Sequence, residues 1–220
     1  MIKLVLFDFD GVLVNSNEAW VDVQNRLAKD IGVERKISYD SLKPMYGKPY
    51  MDVLRGLHPE ARQDSDVLTT MYNNMMEIAS SDDFLDSFST IAGIEDSLIR
   101  LKKKFKLAVA SGNNKKVLHR FIEKFGLNGY FDFVVSADEV ENGKPHPDML
   151  NKALEHFGLE PHECVYVGDA VSDIQAAKKA KMYSIAVLSG ALSREEATEM
   201  QPDFIVEDAT KVQAVLECMS

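Results

Sequence analysis

The chain has 220 residues, 35 of them acidic and 25 basic, for a formal net charge of −10. With about 150 residues to a typical domain, this length suits one full domain carrying a smaller insert, with a core large enough to need no staples. The acidic balance speaks against nucleic acid or an anionic membrane as partner, and 45% hydrophobic with 27% charged residues argues against extensive disorder.

The apolar opening of the chain stops at Asp8 with no small-residue cleavage site behind it, so no signal peptide is expected. No window reaches 18 uninterrupted apolar residues, so no membrane span is expected either. Five short apolar runs stand at 4–7, 107–110, 133–135, 164–167 and 184–187. Runs of this kind separated by helical patterns read as parallel strands buried on both faces. Helices are expected to begin near Asn114, Pro147, Ser172, Arg194 and Asp208. The alternation predicts a doubly wound parallel α/β sheet with right-handed crossovers.

Residues 16–87 break that rhythm, with helical patterns and no convincing strand. Trp20, Val23, Leu27 and Ile31 form one apolar stripe, and Leu68, Met71, Met75 and Ile78 a second. Polar hinges flank the block at 15–17 and 80–83. A helical cap inserted after the first strand is expected, over the sheet edge where ligands bind in such folds. The predicted division is 1–15 and 88–220 as an α/β core and 16–87 as the cap. Cys164 and Cys218 have no Cys/His spacing around them, which disfavours a disulfide scaffold or zinc ribbon and suggests a reducing, cytoplasmic setting.

The predicted strand ends carry Asp8-Phe9-Asp10-Gly11-Val12, Ser111-Gly112-Asn113 and Gly168-Asp169, with Asp173 one helical turn further on; Gly143-Lys144-Pro145 lies in the loop after the third strand. Acids converging at one sheet edge either take up protons or hold a cation, and oxygen-only ligands select a hard ion such as Mg²⁺. The hydroxyl of Ser111, the backbone N–H groups of Gly112 and Asn113, and Lys144 are the parts of a phosphate cradle. Together they point to Mg²⁺-dependent phosphoryl chemistry.

Asp8-x-Asp10-Gly11-Val12, Ser111, Lys144 and Gly168-Asp169-x-x-x-Asp173, in this order and with a cap-sized gap, resemble the four motifs of the haloacid dehalogenase superfamily. The likeness spans essentially the whole chain and is to the phosphatase-rich branch with a helical cap, which is similar to phosphoglycolate phosphatase and β-phosphoglucomutase. It implies a Rossmann-like core and a hydrolase of small phosphomonoesters, working as a monomer or weak homodimer. Asp8 is then the nucleophile that forms an aspartyl-phosphate, and Asp10 the general acid and later base. Mg²⁺ is held by Asp8, the Asp10 carbonyl and Asp169, with Asp173 as a ligand or just outside the ligand set. Ser111, Gly112, Asn113 and Lys144 bind the phosphoryl oxygens.

Related branches lack the second acid: dehalogenases have no Asp at position 10, and phosphonoacetaldehyde hydrolases usually have Ala there. The mutase branch typically has a cap histidine where this chain has Trp20, and often Glu-Asp where it has Gly168-Asp169. Hydrolysis is therefore the first reading, a sugar phosphomutase the alternative, and a non-catalytic ligand-binding module the rival from another class. Trp20 is expected to pack in the cap or wall the substrate, Lys48 to contact substrate or sit in a solvated turn, and His58 to lie on a surface loop. Asn113, one residue late for the usual motif, is not expected to use its side-chain amide. Asp148 is expected to be a first-turn acid, and Lys181 to replace a helix-ending glycine at small cost.

Overall fold

The computed structural model describes residues 1–219. Six strands form one parallel sheet: β1 (Leu4–Phe7), β2 (Lys106–Ser111), β3 (Phe133–Ser136), β4 (Cys164–Gly168), β5 (Tyr183–Val187) and β6 (Phe204–Val206). Their order is β3-β2-β1-β4-β5-β6. Alternate residues serve opposite faces. Val5 and Phe7 join Val109, Val165 and Val167 in one core, while Leu4 and Leu6 join Ala108, Ala110 and Tyr166 in the other. Helices α6 (Ile94–Lys102), α7 (Lys115–Lys124) and α11 (Val212–Cys218) cover the first face through Leu98, Phe121 and Leu216. Helices α8 (Asp148–Phe157) and α9 (Val171–Ala180) cover the second through Leu150 and Ala177. Burial from both sides is why the strands read as unbroken apolar runs. Helix α10 (Arg194–Met200) closes the β5–β6 end with Ala197 on Ala186.

The sequence reading missed α6 and β6. β6 is a three-residue edge strand with only half-buried side chains, so its apolar signal is short. The last helix starts later than expected. Asp208 accepts the Thr210 N–H at 2.8 Å and caps a single 3₁₀ turn, and α11 begins only at Val212. Lys181 ends α9 at φ 60°, the left-handed conformation that costs a non-glycine residue roughly 1 kcal/mol.

Between β1 and β2 the inserted helices are α1 (Asn17–Asp30), α2 (Tyr39–Leu42), α3 (Tyr50–Leu57), α4 (Ser65–Ala79) and α5 (Asp82–Leu85). Trp20, Val23 and Leu27 of α1 and Leu68, Met71 and Met75 of α4 are buried as the two stripes require. The outgoing and returning chains run side by side: Asn15 N–H donates to Ser89 O at 2.8 Å, and Val14 bridges Thr90. The returning chain thus meets the outgoing one at 89–90. Within the polar cluster at 80–83, Ser81 Oγ accepts the Phe84 N–H at the start of α5.

His58 departs furthest from expectation. It follows α3 but is wholly buried, with Nε2 3.0 Å from Gln24 Oε1 and Nδ1 without a partner among the described residues. Burial, helped by Arg35 and opposed by Glu60, holds the imidazole down at about 4 from its ordinary 6.5. The folded value lies below the unfolded one, so the stability from neutral His58 is complete above pH 6.5 and is lost as the pH falls towards 4. The loss amounts to about 3 kcal/mol in full. A His58→Gln variant is expected to lack that slope. Denaturant melts of both proteins between pH 7 and pH 4 check it, and parallel curves would refute it.

Candidate active site

The strand order reverses between β1 and β4, which opens a crevice at their carboxyl ends. The residues that follow those two strands are Asp8 and Asp169. The parallel pairing of Phe7 with Val167 brings the two chain exits together. Asp8, Asp169 and Asp173 are all buried, and each offers a carboxylate oxygen within 4.8 Å of the others. Lys144 is the one ammonium among them, 1% exposed, with Nζ 2.9 Å from Asp8 Oδ1 and 2.7 Å from Asp173 Oδ1. It also donates to the Tyr166 hydroxyl at 3.0 Å.

Three carboxylates against one ammonium leave the cluster short of positive charge. Burial pushes the Asp8 carboxyl up to about 7; Lys144 pulls it down, but Asp173 and Asp10 push it further up. Burial and the charges of Asp173 and Asp8 hold Asp169 well above the usual carboxylate range. Lys144 goes the opposite way. Burial would lower it, and Asp173 and Asp8 carry it above its ordinary value, so it stays charged. A buried group of acids in this state is the arrangement a hard divalent cation relieves.

The lone-pair count separates the three acids. Asp173 Oδ1 takes Lys144 and Tyr166, and Oδ2 takes the N–H groups of Asp169 and Ala170 at 3.2 and 3.0 Å. Asp169 Oδ2 accepts the Ala191 N–H at 2.7 Å. Asp8 Oδ2 and Asp169 Oδ1 accept no hydrogen bond from the described residues. These two oxygens are the ones left for a cation or for attack on phosphorus. Gly11 makes room for the Asp169 carboxylate: its φ is +73°, and a Cβ there would lie 2.3 Å from Asp169 Oδ2.

Asp10 lines, with Asp8 and Asp169, a cavity of about 50 Å³ whose walls also include Trp20, Gln24, Tyr46, Lys48, Tyr50 and Asn113. Its Oδ1 accepts the Ser16 hydroxyl and, at 3.1 Å, the Trp20 indole N–H. Its Oδ2 accepts the Asn113 side-chain amide at 2.6 Å. The Asn113 amide is therefore engaged, contrary to expectation, and its partner is the Asp10 carboxylate. Trp20 packs as expected, against Tyr50 and Phe84 with ring centroids 5.3 and 4.9 Å apart. Its hydrogen bond to Asp10 was outside both readings. The Nε1–H is the only polar signal a tryptophan carries, and sequence spacing does not aim it.

Ser111 is fully buried and its Oγ accepts the Asn113 N–H at 3.2 Å, so that backbone donor faces Ser111 rather than an open site. The N–H groups of Gly112 and Asp10 have no acceptor among the described residues. Lys48 is half-buried on the cavity wall, with Nζ 3.9 Å from Met45 Sδ. Asp148 lies apart from the site and accepts from Asn142 at the first turn of α8.

The inserted helices close over this edge. The Tyr39 hydroxyl donates to Gly190 O at 3.2 Å, Ser172 Oγ donates to Tyr46 O at 2.8 Å, and Lys43 pairs with Glu196. No helix among the described residues is long and apolar enough to cross a membrane.

The comparisons with known proteins agree with this architecture. The chain is 26% identical to a pyrophosphatase, PpaX, of Listeria innocua over 98% of this chain and 96% of that one. A solved structure of a putative haloacid dehalogenase-like hydrolase from Bacteroides fragilis superposes with a TM-score of 0.87 at 22% identity, covering 96% of this chain and 100% of that one. A β-phosphoglucomutase from Clostridium difficile superposes at 0.84 with 21% identity, over 99% of this chain and 96% of that one, a likeness of fold. The family model for haloacid dehalogenase-like hydrolases matches residues 5–187, and the chain belongs to that family.

Proposed function

We propose that the protein is a Mg²⁺-dependent phosphatase that hydrolyses a small phosphomonoester through an aspartyl-phosphate on Asp8. The observation that carries this reading is that Asp8, Asp10 and Asp169 line one small cavity at the β1–β4 crevice, with the Lys144 ammonium 2.9 Å from Asp8 behind it. Mg²⁺ would be held by Asp8, Asp169 and the Asp10 carbonyl, and would neutralise phosphoryl charge and relieve the buried acids. Asp173, with its lone pairs taken, holds Lys144 and the Asp169 loop in place.

In the first half-reaction an Asp8 oxygen bonds to phosphorus as the bond to the leaving oxygen breaks, and Asp10 gives that oxygen its proton. In the second, Asp10 takes a proton from water while the water oxygen bonds to phosphorus, and the Asp8 carboxylate is released. Lys144, Ser111 and the free N–H of Gly112 bear on the phosphoryl oxygens. Residues 16–87 act as a cap that opens to admit substrate and closes to exclude water. Lys48 and Trp20 then face the leaving group. The two free cysteines fit a reducing cytoplasm.

The test uses purified protein with p-nitrophenyl phosphate. Phosphate release is expected with Mg²⁺ and abolished by EDTA; no release, or release indifferent to EDTA, would overturn the reading. The similarity to PpaX favours inorganic pyrophosphate as a second candidate substrate. The ratio of kcat/KM on pyrophosphate to that on a panel of phosphomonoesters decides between them. Recovery of an isomeric sugar phosphate instead of free phosphate would point to mutase chemistry.

A further inference from the structure

We infer that Trp20 and Ser16 are positioning residues for Asp10, and that they assign the two carboxylate oxygens different work. This inference rests on Asp10 being the acid and base proposed above. A carboxylate oxygen has two good acceptor sites. Both sites of Asp10 Oδ1 are filled, one by the Ser16 hydroxyl and one by the Trp20 indole N–H at 3.1 Å. Oδ2 takes one donor, the Asn113 amide at 2.6 Å. One acceptor site of Oδ2 is left among the described residues, and Asp10 lines the same cavity as Asp8. Oδ2 is therefore the oxygen that hands a proton to the leaving group and takes one from water.

The donors are of a kind suited to holding rather than relaying. An indole N–H donates and has no acceptor lone pair, so Trp20 cannot carry the proton onward. What it does is fix the plane of the carboxylate. Asn113 is itself turned by the Tyr50 hydroxyl, which donates to Asn113 Oδ1, and the Trp20 and Tyr50 rings lie 5.3 Å apart. Ser16, Trp20 and Tyr50 come from the inserted segment or its first hinge, and Asn113 from the loop after β2. Asp10 is thus held from both sides of the cavity at once. A carboxylate free to rotate about χ2 would present its open lone pair to the attacking water only part of the time. The penalty falls on intermediate breakdown, where water must be activated. It falls least on the departure of a good leaving group such as p-nitrophenolate, which needs little protonation.

Rapid-quench kinetics on p-nitrophenyl phosphate with Mg²⁺ test this with Trp20→Phe, Ser16→Ala and Asp10→Asn. Trp20→Phe keeps a ring against Tyr50 and Phe84 and deletes the N–H; Ser16→Ala removes a single hydroxyl. Both are expected to lower kcat about tenfold and KM in proportion, with kcat/KM changed less than twofold, because only the step after phosphoenzyme formation is slowed. Both are also expected to show a burst of nearly one p-nitrophenol per site, because the phosphoenzyme accumulates. A kcat within twofold of the parent protein, a loss confined to KM, or a lower kcat without a burst would overturn the inference. If Trp20→Phe does not fold, Ser16→Ala decides alone, since it empties the other site of the same oxygen. Wild-type turnover in Asp10→Asn would instead remove the acid–base reading beneath it.

Discussion

Asp8→Asn is expected to lower kcat on a phosphomonoester by at least about 10⁴-fold, a barrier increase of about 5.5 kcal/mol, without unfolding the protein. The amide is nearly the same shape as the carboxyl, so the packing around β1 is undisturbed. What is lost is an anionic oxygen that accepts no hydrogen bond from the described residues and is free to attack. The effect on stability has the opposite sign from most substitutions at a buried charge. Asp8 is one of three clustered acids, and Lys144 keeps Asp173 at 2.7 Å when Asp8 is neutral. Relief of repulsion therefore offsets the lost ion pair, and the melting temperature in EDTA is expected to stay level or rise. The stabilisation by added Mg²⁺ should shrink at the same time, because one of its ligands is weakened. Phosphate release, with thermal melts in EDTA and in Mg²⁺, checks all three expectations. Substantial activity in the variant would remove Asp8 as nucleophile.

Much of this site was legible in the sequence because the fold does the gathering. Parallel strands deliver their carboxyl ends to one edge, so acids that end separate apolar runs, Asp8 and Asp169, meet without further instruction. Asp173 was legible for a similar reason, being one turn into the helix that follows. The side-chain bonds around Asp10 were not legible. Trp20 and Tyr50 reach it from helices whose docking angle no local pattern encodes, and an indole at a buried stripe position looks the same whether or not its N–H finds a partner. His58 was misjudged as a surface-loop residue because no local pattern shows that Gln24 from another helix satisfies one of its nitrogens. β6 was missed because three half-buried residues at an edge carry little apolar signal. Periodicity reports burial on an element's own faces; it is silent on polar contacts between elements.

Lys144→Met should both inactivate the protein and destabilise it in EDTA by about 3 kcal/mol, the range for removing one partner of a buried charge pair. The methionine fills similar volume, so the loss is electrostatic rather than a cavity. It leaves Asp8, Asp169 and Asp173 within 4.8 Å of one another and no ammonium among them. The Tyr166 hydroxyl, 3.0 Å from both Nζ and Asp173 Oδ1, still donates one proton to the cluster but brings no positive charge. A divalent cation is then the remaining source of neutralisation. The variant is accordingly expected to gain more melting temperature from millimolar Mg²⁺ than the parent protein does, even though neither phosphate binding nor turnover returns. That difference separates two accounts of Lys144. Were it only a phosphate contact, its removal would leave the metal-free melt and the Mg²⁺ response unchanged. Were it a counter-charge that also holds the cluster together, the melt falls and the Mg²⁺ response grows. The distances of 2.9 Å to Asp8 and 2.7 Å to Asp173, in a side chain with no exposure, support the second account.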